Sequence, residues 1–195
     1  MQTVPKLAAH QLACRRGDRI LFRGLDLSLA GGEALYLSGP NGIGKTSLLR
    51  ILAGLMRPYA GSVAREGTIG MVDGRPALDP QAPLGTALSF WARLDGGAAS
   101  DEKLAMLGLS DLLDVPVRYL STGQTKRAAL ARLLAQDAQI WLLDEPLNGL
   151  DVQGVALVET LVAQHCAAGG IALVASHQPI ALPTSTTLAI VEYVA

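Results

Sequence analysis

From Leu7 to Ala30 apolar and polar residues roughly alternate, with Gly17-Asp18 and Gly31-Gly32 as turn punctuation. A period of two predicts an antiparallel β ribbon here. Residues 33–38 (EALYLS) predict a short strand that runs straight into a glycine-rich turn. Behind that turn Leu48, Leu49, Ile51, Leu52 and Leu55 recur at helical spacing, and the helix they predict ends near Arg57-Pro58. Strand, glycine turn and helix form the first unit of an α/β domain.

The pattern changes between Pro76 and Pro116, where Pro76, Pro80 and Pro83 precede two predicted helices over residues 86–94 and 101–107. This stretch reads as a helical insertion. Residues 121–135 then predict a helix that Ser121 caps, with Gln124 three residues later completing a capping box. Residues 139–143 (QIWLL) predict a fully apolar strand, 152–166 another helix, and 171–175 (IALVA) a last buried strand. Apolar strands alternating with helices predict a parallel sheet covered on both faces.

Composition sharpens this picture. Of 195 residues, 50% are hydrophobic and 17% charged, against about 25% charged in an ordinary soluble domain. The length suits a single domain over 1–195, with a core of about 1–75 and 120–195 and a small helical subdomain of about 76–119. The apolar excess fits either a buried parallel sheet or a lasting apolar partner. It excludes intrinsic disorder, and the formal net charge of −1 argues against a nucleic-acid partner held by phosphate neutralisation. Residues 160–191 contain no Asp, Glu, Lys or Arg, yet Gln164, His165, Gly169-Gly170, Ser176, His177, Pro179 and Pro183 interrupt them. No stretch supplies the ~20 apolar residues of a spanning helix. The first ten residues lack the pattern of a secretion signal, so the chain is expected to stay in the cytoplasm, with Cys14 and Cys166 reduced.

Gly39-Pro40-Asn41-Gly42-Ile43-Gly44-Lys45-Thr46, followed by Ser47, fits the phosphate-loop pattern GxxxxGK[ST] between a strand and a helix. The glycines let successive backbone N–H groups curl around a β-phosphate, at the positive end of the following helix. Lys45 adds a point charge toward the β- and γ-phosphates, and the Thr46 hydroxyl is placed to ligate Mg²⁺. The ligand expected is a nucleoside triphosphate with magnesium. The strand over 139–143 ends in Asp144-Glu145-Pro146. Carboxylates at the carboxyl end of a buried parallel strand lie where such sheets bind ligands. Asp144 would hold Mg²⁺, and Glu145 would orient or deprotonate the attacking water.

These two features suit kinases, GTPases and motor ATPases alike. Leu120-Ser121-Thr122-Gly123-Gln124, before the helix that carries Lys126, Arg127 and Arg132, separates them. Here the chain resembles the ATP-binding subunits of ABC transporters, whose signature is usually LSGGQ; Thr122 replaces the first glycine. The resemblance covers essentially the whole chain, with residues 147–151 (LNGLD) matching the family's D-loop and His177 its switch histidine. It implies a P-loop ATPase core with a parallel sheet flanked by helices, an N-terminal antiparallel ribbon and a small helical subdomain. It further implies a head-to-tail homodimer in which ATP lies between one copy's phosphate loop and the other's Ser121, Gly123 and Gln124. His177 would sense the γ-phosphate and Asp151 would reach across the dimer; Asp151 can also cap the helix behind it.

Two further positions depart from the family. The stretch Val72-Asp73-Gly74-Arg75-Pro76 lacks the usual glutamine that links Mg²⁺ to the transporter-facing subdomain, which leaves Arg75 at that place. Upstream of the phosphate loop, where an aromatic ring usually stacks on adenine, Arg16 is the expected occupant, since a guanidinium plane also stacks on a base. Several stretches, among them 39–50 (GPNGIGKTSLLR) and 176–179 (SHQP), resemble the branch of the family that serves bacterial cytochrome c maturation, a haem-exporter type of complex. That resemblance implies a peripheral subunit on the cytoplasmic face of the inner membrane, paired with integral subunits of the CcmB and CcmC kind. Leu84, Leu88, Phe90, Trp91 and Leu94 are the expected contacts for that partner, with Trp91 equally suited to the core. The ATPase of another small-substrate ABC transporter, a soluble ABC-type regulator and a nucleotide-binding scaffold with little turnover remain alternatives.

Overall fold

The computed structural model describes residues 4–74, 76–96, 100–182 and 185–194. The predicted ribbon is β1 (Lys6–Arg16) paired antiparallel with β2 (Arg19–Ala30). The chain continues through β3 (Ala34–Ser38), α1 (Lys45–Leu52), β4 (Ala60–Glu66) and β5 (Ile69–Val72). The helical segment contains α2 (Leu84–Leu94), α3 (Asp101–Met106) and two 3₁₀ turns at Ser110–Leu112 and Val117–Tyr119. Then follow α4 (Thr122–Ala135), β6 (Ile140–Asp144), α5 (Val152–Ala167), β7 (Ile171–Ala175) and β8 (Ser185–Ala189).

Two sheets result: an antiparallel one in the order β2-β1-β4, and a five-stranded one in the order β5-β6-β7-β3-β8 with parallel pairing throughout. The central strands β6 and β7 are buried at every position. Alternate residues enter different cores: Trp141, Leu143, Ala172 and Val174 pack with the helices α2, α4 and α5. Ile140, Leu142, Ile171 and Leu173 pack with α1 and the ribbon. A parallel sheet covered on both faces accounts for the apolar excess, because neither face needs polar residues.

The reading of the chain differs from the structure at its edges. Residues 171–175 are the last buried strand, but a further, more exposed strand, β8, lies beyond them and pairs with β3 from the edge of the sheet. Its sequence, Ser-Thr-Thr-Leu-Ala, is too polar to stand out. Strand β4 was likewise not expected, being mostly exposed, and it adds to β1 through backbone hydrogen bonds without an apolar stripe. The acidic strand runs over Ile140–Asp144, one residue later than expected, so Asp144 is its last residue.

Of the residues proposed to meet a partner, Leu84 and Leu88 are instead core residues, whereas Phe90 and Leu94 are 54% and 66% exposed. Trp91 is half-buried: its Nε1 donates to the Ala77 carbonyl, and the Arg132 guanidinium lies 3.6 Å above its ring. Among the described residues no helix is long and apolar enough to cross a membrane.

Candidate active site

The loop between β3 and α1 turns through Gly39, Gly42 and Gly44, all with positive φ. At Gly44 (φ +122) a Cβ would lie 3.2 Å from Phe22 Cδ1 and 3.3 Å from Leu21 Cβ, so the ribbon presses on the loop where only glycine fits. At Gly42 (φ +77) nothing lies within 4 Å of that position, which leaves the backbone open to a ligand. Ile43 packs back against Gly39, Pro40 and Asn41 are exposed, and the Ser47 hydroxyl hydrogen-bonds the buried Cys14 thiol, whose pKa burial pushes up.

Lys45 is only 5% exposed. Its Nζ donates to the carbonyls of Gly39 at 2.6 Å and Pro40 at 3.3 Å, and lies 3.4 Å from Glu145 Oε1. The Thr46 hydroxyl donates to Asp144 Oδ2 at 2.6 Å. Burial is the main influence that pushes the Asp144 carboxyl above the usual range; the Thr46 bond opposes it, Glu145 adds to it, Lys126 opposes and Asp73 adds.

Parallel pairing places Asp144 opposite Ala175, so the ends of β6 and β7 meet. Glu145, in the left-handed region at φ +48, donates its N–H to the Ala175 carbonyl at 2.8 Å. Its Oε2 accepts from His177 Nδ1 at 2.8 Å and from the His177 N–H at 3.4 Å. An ionised carboxylate only accepts, so Nδ1 carries the proton. Arg16, Leu21, Asn41, Gly42, Gly44, Lys45, Thr46, Ser47, Asp144 and Glu145 line one cavity of about 340 Å³. Arg16 stands at its mouth, with Nη1 3.8 Å from Met56 Sδ, while the neighbouring Arg15 stacks on Tyr59 at 4.7 Å.

The signature residues do not line this cavity. Ser121 Oγ accepts from the Gln124 N–H at 3.2 Å and Gln124 Oε1 from the Ser121 N–H at 2.8 Å, the reciprocal capping box expected at the start of α4. A Cβ on Gly123 would lie 2.8 Å from the Gly149 carbonyl, and one on Gly149 would lie 2.8 Å from Thr122 Cγ2. The signature therefore packs directly against the 147–151 stretch. Asp151 caps α5 by accepting from the Gly154 N–H at 2.8 Å.

Three residues in and around the site were not assigned roles from the sequence. Leu21, read as a ribbon residue, lines the cavity. Asp73, at the end of β5, pairs with Arg50 of α1 at 3.3 Å. Lys126, half-buried on α4, has its pKa lowered by burial, with Asp144, Asp73 and Glu145 opposing. Its like-charged neighbours Arg127 and Arg132 on the same helix give the sequence no signal that singles it out. Arg75, at the place of the missing glutamine, lies outside the described residues.

Comparison with known proteins agrees with this arrangement. The family pattern for ABC transporters matches residues 22–148. A protein named cytochrome c biogenesis ATP-binding export protein CcmA, from Novosphingobium aromaticivorans, is 58% identical over 184 residues, covering 94% of this chain and 95% of its own. A protein of the same name from Sphingopyxis alaskensis is 51% identical, covering 91% of this chain and 92% of its own. The solved structure of an ABC transporter ATP-binding protein from Pyrococcus furiosus superimposes with a TM-score of 0.83 over 97% of this chain and all of that one; at 21% identity the likeness is one of fold. By sequence, fold and the disposition of its motifs, the chain belongs to the ABC transporter ATP-binding family, the P-loop ATPases, in the group of CcmA proteins.

Proposed function

We propose that residues 1–195 act as one ATP-binding domain that hydrolyses ATP for a cytochrome c biogenesis export complex of the haem-exporter type. The observation that carries this reading is the convergence of Lys45, Thr46, Asp144, Glu145 and His177 at the carboxyl ends of β6 and β7. The name of the similar proteins supplies the biological setting.

The phosphate loop and Lys45, whose ammonium already bonds the Gly39 and Pro40 carbonyls, receive the β- and γ-phosphates. Arg16 and Leu21 flank the base. Magnesium fits the donor set, because Thr46 Oγ1 and Asp144 are hard oxygen ligands and Asp144 Oδ1 is buried without a hydrogen-bond partner among the described residues. When bound, Mg²⁺ neutralises charge on the β- and γ-oxygens. Glu145 accepts a proton from the attacking water, and His177, bonded to its far oxygen, holds that carboxylate in place and meets the γ-phosphate. Ser121, Gly123 and Gln124 serve a second copy's nucleotide, since they do not line the cavity in their own chain. Asp151 sits beside them, in the stretch against which Gly123 packs. The exposed Phe90 and Leu94 of α2 support docking to an integral membrane subunit, CcmB- or CcmC-like in this reading, with the chain peripheral on the cytoplasmic face of the bacterial inner membrane.

The test replaces Lys45 with Ala and Glu145 with Gln and follows c-type cytochrome assembly in cells. Loss of assembly in both variants, with protein levels unchanged, is expected. Full assembly in both would overturn the cytochrome assignment or its dependence on hydrolysis.

A further inference from the structure

A lysine outside the phosphate loop also reaches the acidic end of the sheet. Helix α4 ends a few residues before β6 begins, so it runs antiparallel to β5 and β6, with its N-terminus toward their carboxyl ends. Leu133 lies so close over Gly70 that β5 has no room for a Cβ there. From Leu133 back to Lys126 is seven residues of helix, and from Gly70 forward to Asp73 is three residues of strand; each step advances about 10 Å. Lys126 therefore lies over Asp73, on the same helical stripe as Ala129 and Leu133, which share a cavity lining with Asp73. The carboxylates of Asp144, Asp73 and Glu145 act on its charge from that end of the sheet, against the effect of burial.

Asp73 follows Val72, which pairs with Leu143, so Asp73 and Asp144 end adjacent strands. Three carboxylates at neighbouring strand ends repel one another unless a cation stands among them. Lys45, besides bonding the carbonyls of its own loop, lies 3.4 Å from Glu145 Oε1, and Arg50 pairs with Asp73 from the α1 side. The cation on the α4 side is Lys126.

We propose that Lys126 is a positioning residue for hydrolysis: from the helix that begins at the signature, its ammonium, set over Asp73, offsets the mutual repulsion of the three carboxylates and so keeps Asp144 and Glu145 in place. This rests on the reading that Asp144 and Glu145 serve hydrolysis. The arrangement also ties α4, and with it the signature, to the nucleotide site of its own chain, while Arg50 ties α1 to the same aspartate. Asp73 thus pairs with α1 through Arg50 and shares a cavity lining with Ala129 and Leu133 of α4.

The experiment measures ATP hydrolysis and ATP binding by the purified chain carrying Lys126→Gln, Lys126→Arg, Asp73→Asn and the Lys126→Gln/Asp73→Asn pair, with Glu145→Gln alongside. Lys126→Gln is expected to lower kcat about tenfold with KM for ATP within about twofold, and Lys126→Arg to recover most of that loss. The double variant is expected to lose no more than the worse single one, because both changes break one arrangement. Wild-type kcat in Lys126→Gln, no recovery with Arg, or additive losses would overturn the proposal. So would loss of ATP binding in Lys126→Gln, since a positioning role leaves the phosphate loop intact. If Glu145→Gln itself hydrolyses normally, the carboxylate reading fails; if it is inactive while Lys126→Gln is normal, only the role of Lys126 falls.

Discussion

Thr46 and Asp144, 98 residues apart in sequence, are joined by a hydrogen bond of 2.6 Å from the threonine hydroxyl to Asp144 Oδ2, while Oδ1 of the same carboxylate is buried with no hydrogen-bond partner among the described residues. The helix behind the phosphate loop and the end of strand β6 thus already meet through the two groups proposed to share a magnesium ion. Replacing Asp144 with Asn keeps the shape and removes the charge. Hydrolysis should fall by about a hundredfold or more, with ATP binding in the absence of magnesium retained; chelation of magnesium should abolish wild-type turnover. A steady-state assay across magnesium concentrations checks both, and normal turnover in Asp144→Asn would rule out the metal role.

The contact between Gly123 and Gly149 should be sensitive to a single methyl group. A Cβ on Gly149 meets Thr122 Cγ2 at 2.8 Å and must also adopt φ +79. Gly149→Ala should therefore cost about 1–3 kcal/mol and displace the signature. Adding Thr122→Gly should restore part of the loss, because it removes the clash but not the backbone strain. Denaturant unfolding of the two variants and their pair decides the matter; no recovery in the pair would mean that Thr122 is not the obstacle.

His165 stacks parallel on Trp141, with ring centroids 3.9 Å apart, and its Nε2 lies 3.2 Å from the carbonyls of both Gln139 and Ile171. Both partners accept, so Nε2 carries hydrogen. Burial pushes the pKa of His165 below its ordinary value, against the pull of the two carbonyls. Between that lowered pKa and about 6.5 the unfolded chain binds more protons than the folded one. The stability due to the neutral ring is complete above about pH 6.5 and is lost as pH falls through this window. Thermal midpoints from pH 7.5 to pH 5 should drop more steeply for the wild type than for His165→Gln. Equal slopes would show that His165 does not couple folding to protonation.

Helix α2 divides its apolar residues between two tasks. Leu88 is 4% exposed, so Leu88→Ala should destabilise the fold by about 2–5 kcal/mol. Phe90 and Leu94 are exposed, and replacing both with Asp should change stability by no more than about 0.5 kcal/mol per site. The same double variant should no longer co-purify with the membrane subunit proposed as its partner. Retained co-purification would move the docking surface elsewhere on the chain.

Much of the site was legible in the sequence because each of its motifs is a short contiguous run. Residues 39–47 need neighbouring glycines to expose successive N–H groups, and the Ser121–Gln124 capping box closes within four residues. Local backbone geometry decides both. The buried strands Ile140–Asp144 and Ile171–Ala175 stand out for a related reason, since a strand covered on both faces is apolar at every position. Strands β4 and β8 escaped notice because each is held mainly by backbone pairing at the edge of a sheet, which needs no particular side chains.

What tertiary structure alone decided is which distant segments meet. The order β5-β6-β7-β3-β8 sets Thr46 against Asp144, Glu145 against His177, and Asp73 beside Asp144. The path of α4 across β5 brings Lys126 over that acidic end, although nothing in the spacing of Lys126 from either carboxylate announces it. A motif depends on the few peptide units around it, whereas a parallel sheet joins strands through long crossovers, and their packing sets which charges become neighbours.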